Sequence, residues 1–75
     1  MMRQDRARTD ESLRAAIMAI LATDSRTAHA ELRVGVLNGI AHLAGAADSL
    51  AERAAAEELA GQAPDVRGVV NRIEA

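Results

Sequence analysis

Apolar residues recur at two different spacings along this 75-residue chain. Over residues 10–23 they lie three or four positions apart, which is the period of an α-helix with one buried face. This stripe consists of Leu13, Ala16, Ile17, Ile20 and Leu21. We expect a first helix over this range, with Thr9 or Asp10 as its N-cap. Residues 1–9 are polar and are expected to be a flexible segment ahead of a single domain over 10–75.

The segment ELRVGVL, residues 31–37, instead alternates with period two, as a half-buried strand does. Asn38 and Gly39 follow it, and these residue types favour the positive φ angles of a type I′ turn. IAHLAG, residues 40–45, is then the returning strand of an antiparallel hairpin. Alternation places Ile40 and His42 on one face of this strand and the intervening apolar residues on the other.

A second helical pattern begins at Ser49. Ser49 and Glu52 have the spacing of a capping box, in which each side chain accepts a hydrogen bond from a backbone N–H of the first turn. The buried stripe of this helix is predicted to be Ala56, Leu59, Ala60 and Ala63, and Pro64 ends it. The final segment, VRGVVNRIEA, predicts a third strand with Val69 and Ile73 inward and Val70 and Arg72 outward.

The element order is therefore αββαβ. A helix joins the second and third strands, so these two should run parallel through a right-handed crossover. The result is an α+β fold, a two-layer sandwich with a three-stranded mixed sheet and two helices on one face. The other face of the sheet would be open and would carry Arg33, Gly35, Ile40, His42, Val70 and Arg72.

Composition excludes several function classes. The chain has no cysteine and no aromatic residue, and its net charge is −2. Nucleic acid is not an expected partner, because there is no basic footprint and no stacking platform. MMRQDRAR and AAIMAILA imitate a secretory signal, but charged residues interrupt the pattern and the apolar run is too short to span a bilayer. We expect a cytoplasmic protein without a transmembrane segment.

Catalytic and metal chemistry find little support. Ser49 is explained as a cap, Glu57 and Glu58 are consecutive on a helix, and no G-x-S-x-G motif occurs. His29 and His42 have no partners at metal-ligand spacing. We expect no enzyme activity, no catalytic residue, no metal and no cofactor.

The first helix has an unusual outer face. No residue between Arg14 and Asp24 is charged, and the outward positions are Ala15, Met18, Ala19 and Ala22. One interpretation is that alanine is simply a good helix former. The other is that a protein partner, a second subunit or lipid covers this face.

The open sheet face is the second candidate surface. Its proposed binding residues are Arg33, Ile40, His42, Arg67, Val70 and Arg72. Apolar groups ringed by arginines can meet an anionic headgroup or a protein surface. A solvated antiparallel face has the same pattern. The third strand should be a sheet edge that Arg67 and Arg72 protect, or else an edge that mediates dimerisation.

Taken together, these residues resemble the BON domain, a bacterial module of osmotically inducible and nodulation-related proteins. The resemblance lies in Gly39 after a strand, Leu43 and Gly45 in the next strand, AERAAAEELA in the helix, and DVRGVVNRIEA at the end. It implies an αββαβ fold without catalytic activity that attaches to phospholipid membranes or to protein partners, often in envelope proteins. The expected function is therefore phospholipid association at a membrane surface. The alternative is a soluble protein-interaction or homo-oligomerisation domain.

Overall fold

The computed structural model describes the backbone of residues 2–75 and the side chains from Thr9 onward. The elements are α1 (Met2–Thr23), β1 (Glu31–Leu37), β2 (Ile40–Ala46), α2 (Leu50–Gly61) and β3 (Gly68–Asn71). This order confirms the predicted α+β fold. No helix in the described part of the chain has the length and apolar character needed to cross a membrane.

The sheet has the strand order β1-β2-β3, so β2 is central and the other two strands are edges. β1 and β2 are antiparallel, whereas β2 and β3 run parallel. Asn38 and Gly39 have φ angles of 51° and 81°, as the predicted hairpin turn requires. Beyond β3 the pairing continues as an isolated parallel bridge between Ala46 and Glu74. The predicted strand order and strand directions are confirmed.

The core lies between the sheet and the two helices, with α1 against β1 and α2 against β3. Ile17 and Leu43 are its largest fully buried side chains. Ala41, Ala56 and Ala60 have no exposed surface, and side chains this small let α2 approach the sheet closely. Ala16 is exposed, so its place in the predicted stripe of α1 was wrong.

The predicted start of α1 was also wrong. The helix begins at Met2, so Thr9 and Asp10 lie inside it and do not cap it. The Asp10 carboxylate instead accepts hydrogen bonds from the backbone N–H groups of Asn38, at 2.9 Å, and Gly39, at 3.1 Å. This carboxylate therefore fastens α1 to the hairpin turn. The flexibility expected of residues 1–9 stays a prediction, and Met1 lies outside the described residues.

The start of α2 and the backbone of β2 depend on residues that the sequence predicts to be structural. Ser49 is the N-cap of α2, and its hydroxyl accepts a hydrogen bond from the Glu52 N–H at 3.1 Å. Glu52 reaches back to the N–H of Asp48 at 2.9 Å, which completes the predicted cap one residue further out. Gly45 has φ of 123°, and a Cβ there would collide with the Glu31 carbonyl. Only glycine fits this point of β2.

Candidate functional site

The face of the sheet opposite the helices is built from cross-strand rows. Arg33 pairs with Ala44, and the parallel register places Arg72 on the other side of the same alanine. Two strand spacings separate the arginine Cα atoms by about 10 Å. Both arginines are exposed, and neither forms an ion pair within the described part of the chain. Ala44 is too short to fill the space between them, so the row has two free guanidinium groups above a shallow floor.

The rows on either side differ in character. Glu31, Ala46 and Glu74 form the next row away from the hairpin and give that end two carboxylates. Toward the hairpin the rows become apolar, through Val70 beside His42 and then Ile40 beside Leu37. Leu37 is 65% exposed. The open face is therefore acidic at one end, cationic in the middle and apolar at the hairpin.

Five of the six predicted binding residues share this face, and the sixth does not. Arg67 has the strand parity of Val69 and lies beside the hairpin turn, where its Nη1 is 3.5 Å from the Asn38 carbonyl oxygen. Its methylene stem occupies the space next to Gly39. Sequence reasoning missed Leu37 and Ala44 as members of the surface. Alternation would have placed Leu37 there, because Leu37 has the same parity as Arg33.

The outer edge of β3 is covered by side chains. Arg53 of α2 donates from Nε to the Ile73 carbonyl at 2.8 Å and from Nη2 to the Asn71 carbonyl at 3.2 Å. The Asn71 side chain accepts from the Ile73 N–H at 3.1 Å and donates to the Arg53 carbonyl and to Glu57. The hydrogen bonds that cover this edge come from Arg53 of α2 and from the Asn71 side chain, and the edge protection expected of Arg67 and Arg72 stays a prediction.

The outer edge of β1 has no such cover. In the part of the chain with described side chains, no hydrogen bond reaches this edge between Leu32 and Val36. A small apolar groove runs beside it, lined by Met18, Leu21, Ala22, Thr27, Ala28, Ala30, Leu32 and Val34. Of the predicted partner face of α1, Met18 and Ala22 line this groove. Ala15 and Ala19 are exposed outside it.

Charged groups of the helical layer are paired locally. Arg14 hydrogen-bonds to Glu11 at 2.8 Å, and this contact holds the pKa of the Glu11 carboxyl below its ordinary value. Hydrogen bonds from the Arg26 side chain and backbone lower the pKa of Asp24 in the same way. Among the described residues, no group of three or more histidines, cysteines and acids is arranged to hold a metal ion. Arg33 and Arg72 on the sheet face have no such partner among the described residues.

The described residues form a small two-layer αββαβ domain with one open sheet face. The BON-domain family model matches residues 9–75, and the chain belongs to the BON-domain family. This is a family of binding modules, and its match over nearly the whole chain confirms the resemblance found in the sequence. No curated protein matches the chain.

Proposed function

We propose that the open sheet face binds anionic phospholipid at a membrane surface. The observation that carries this proposal is the row of Arg33, Ala44 and Arg72, in which two exposed guanidinium groups form no ion pair with any side chain from Thr9 onward. Guanidinium groups present paired N–H donors that match phosphate oxygens. A phosphate above Ala44 is within reach of both side chains.

The apolar end of the same face supports a defined orientation. Leu37, Ile40 and Val70 lie on the hairpin side of the arginine row, and Leu37 is the most exposed of them. Glu31 and Glu74 lie on the opposite side, where an anionic surface repels them. The hairpin end therefore tilts toward the bilayer, and its apolar side chains enter the boundary between headgroups and acyl chains.

The net charge of the whole chain limits the expected strength of binding to an anionic membrane. A net charge of −2 opposes approach to an anionic surface, so binding depends on the local arginine row and weakens with salt. With the cytoplasmic location expected from the sequence, the target is the anionic inner leaflet of a membrane. The alternative function, protein interaction or homo-oligomerisation, is favoured by one observation, the uncovered edge of β1.

Co-sedimentation with liposomes tests the lipid proposal. Vesicles of phosphatidylcholine mixed with phosphatidylglycerol should pellet the protein at low salt, and pure phosphatidylcholine vesicles should not. Arg72→Ala should weaken binding about fivefold, since one basic residue near an anionic surface contributes about 1 kcal/mol.

Arg26→Ala is the matched control, because it also removes one positive charge but lies in the helical layer. It should leave binding within about twofold of the wild type, because Arg26 does not lie on the open sheet face. Equal binding to both vesicle types, no pelleting at all, or equal losses in the two variants would contradict the proposal.

A further inference from the structure

We infer that the outer edge of β1 pairs with β1 of a second copy of this chain, antiparallel and about a two-fold axis at Leu32. This inference concerns the outer edge of β1, which shares Arg33 with the proposed lipid-binding face, and it stands without the lipid proposal. It joins two three-stranded sheets into one six-stranded sheet.

The backbone of β1 is available for such pairing. Because the hairpin turn has two residues, Leu37 and Ile40 form a hydrogen-bonded pair, and every second residue of β1 then bonds to β2. The residues between them, Leu32, Val34 and Val36, direct their N–H and C=O groups to the outer edge. Unpaired edge groups are a template for another strand, and pairing about Leu32 brings residues 31–33 of the two copies opposite each other.

Charge selects the register. Symmetric pairing about Arg33 would place two Arg33 side chains directly opposite each other, which is unfavourable. Pairing about Val34 would place Arg33 opposite Gly35 and leave both charged residues without a partner. Pairing about Leu32 places Glu31 of each copy opposite Arg33 of the other. Neither Glu31 nor Arg33 forms an ion pair with another described side chain of its own chain, and of these three registers only this one gives both a partner.

The groove beside β1 supports the same axis. Leu32 and Val34 of β1 line it together with Met18 and Ala22 of α1. With Leu32 on the axis, the grooves of the two copies meet on the helix side of the joined sheet. Ala22 is small and Met18 is flexible and 41% exposed, so the two helices can close over the seam.

The other edge limits the assembly to two chains. Arg53 and the Asn71 side chain occupy the carbonyls of Asn71 and Ile73 and the N–H of Ile73. These contacts oppose the addition of a third copy at β3, so the interface closes as an isologous dimer. Within this dimer Arg33 is shared between Glu31 of the second copy and a lipid phosphate, so self-association should weaken lipid binding.

The mass in solution tests the dimer. Sedimentation equilibrium should give twice the 7.9 kDa chain mass at high protein concentration. Arg33→Glu and Glu31→Arg should each raise the dissociation constant about tenfold or more, because each creates two like-charge pairs across the seam. The double swap, Glu31→Arg with Arg33→Glu, should restore dimerisation, since it only reverses the direction of each pair.

Variants of α1 test whether the groove, and not the rest of the helix surface, contributes to the dimer. Ala22→Glu puts a charge into the groove and should weaken the dimer, whereas Ala15→Glu adds the same charge outside it and should not. Arg72→Ala should leave the mass unchanged while it reduces lipid binding, so failure of one proposal is distinguishable from failure of the other. A monomeric wild type at all concentrations, or a swap that does not restore association, would overturn the inference.

Disulfide trapping tests the register, because the natural chain has no cysteine. Glu31→Cys mixed with Arg33→Cys should give an oxidised heterodimer. Rapid self-linking of Arg33→Cys would place the axis at Arg33, and linking of Arg33→Cys to Gly35→Cys would place it at Val34. Either result would overturn the proposed register.

Discussion

A helix flanks each edge of the sheet, but the contacts between helix and strand differ at the two edges. α2 sends the Arg53 guanidinium over β3, where it bonds to two backbone carbonyls. α1 places Met18 and Ala22 beside β1, and neither side chain supplies a hydrogen-bond donor to the strand. β3 has four residues and β1 has seven. The longer edge is thus the one left open.

This difference shows that the fold covers one edge of its sheet and leaves the other edge available for binding. A sheet edge is a hazard unless charge, bulges or a covering element blunt it. At β3 the cover comes from a side chain 18 to 20 residues earlier in the chain. At β1 the exposed charges of Glu31 and Arg33 do not prevent pairing, but they restrict it to one register. The same arginine faces the open sheet surface, so the two candidate surfaces meet at Arg33.

The largest expected effect comes from disrupting the close contact between β1 and β2 at Gly45. Gly45→Ala forces an alanine into a φ of 123° and against the Glu31 carbonyl. It should lower the free energy of unfolding by about 3 kcal/mol, measured by urea denaturation. Gly35→Ala is the matched control, since a Cβ there meets open space. Its change should stay below about 1 kcal/mol, and equal losses in the two variants would contradict the account.

The next largest effect is expected from a variant that uncovers the outer edge of β3. Arg53→Ala leaves the carbonyls of Asn71 and Ile73 without their donors and should cost about 2 kcal/mol of unfolding free energy. It should also give mass growth beyond a dimer in light scattering, because both edges are then free. Arg72→Ala removes an arginine without these hydrogen bonds and should leave stability nearly unchanged. A stable Arg53→Ala variant with wild-type mass would show that the guanidinium does not protect β3.

A smaller effect is expected where α1 holds the hairpin. Asp10→Ala removes the acceptor of two backbone N–H groups at the turn between β1 and β2. The expected loss is about 1–2 kcal/mol, because the hydrogen bonds involve a charged acceptor but are partly exposed. The neighbouring Glu11→Ala should leave stability nearly unchanged, as its ion pair with Arg14 lies on the surface. Thermal unfolding of the two variants tells these roles apart.

The smallest effect is a pH dependence that belongs to neither edge. Arg26 holds the pKa of the Asp24 carboxyl below its ordinary value of 3.8. The folded pKa is thus lower than the unfolded one, so this carboxylate stabilises the fold above the unfolded value. The contribution disappears as the pH falls through the folded pKa. Asp24→Asn should therefore lose less stability than the wild type on acidification below about pH 4. A steeper loss of stability in Asp24→Asn than in the wild type would contradict this prediction.

Local signals in the sequence were sufficient for the hairpin, the cap of α2 and the strand order. Asn38-Gly39 fixes a turn by its own backbone preference, and Ser49 and Glu52 fix a helix start within one turn. The start of α1 was mispredicted because Asp10 bonds to residues 28 and 29 positions away, which no short pattern reveals. The role of Arg53 was missed for the same reason. Arg67 could have been excluded from the open face, because its parity is that of the inward-facing Val69.

Amide chemical-shift mapping by NMR with anionic lipid nanodiscs tests the central claim most directly, because it reports where on the molecule the lipid binds. The account predicts that the largest shifts occur at Arg33, Ala44 and Arg72, with smaller ones at Leu37 and Ile40. The amides of α2 should change little. Shifts confined to α1 and the outer edge of β1, or equal shifts with zwitterionic nanodiscs, would contradict the assignment of the open sheet face to anionic phospholipid.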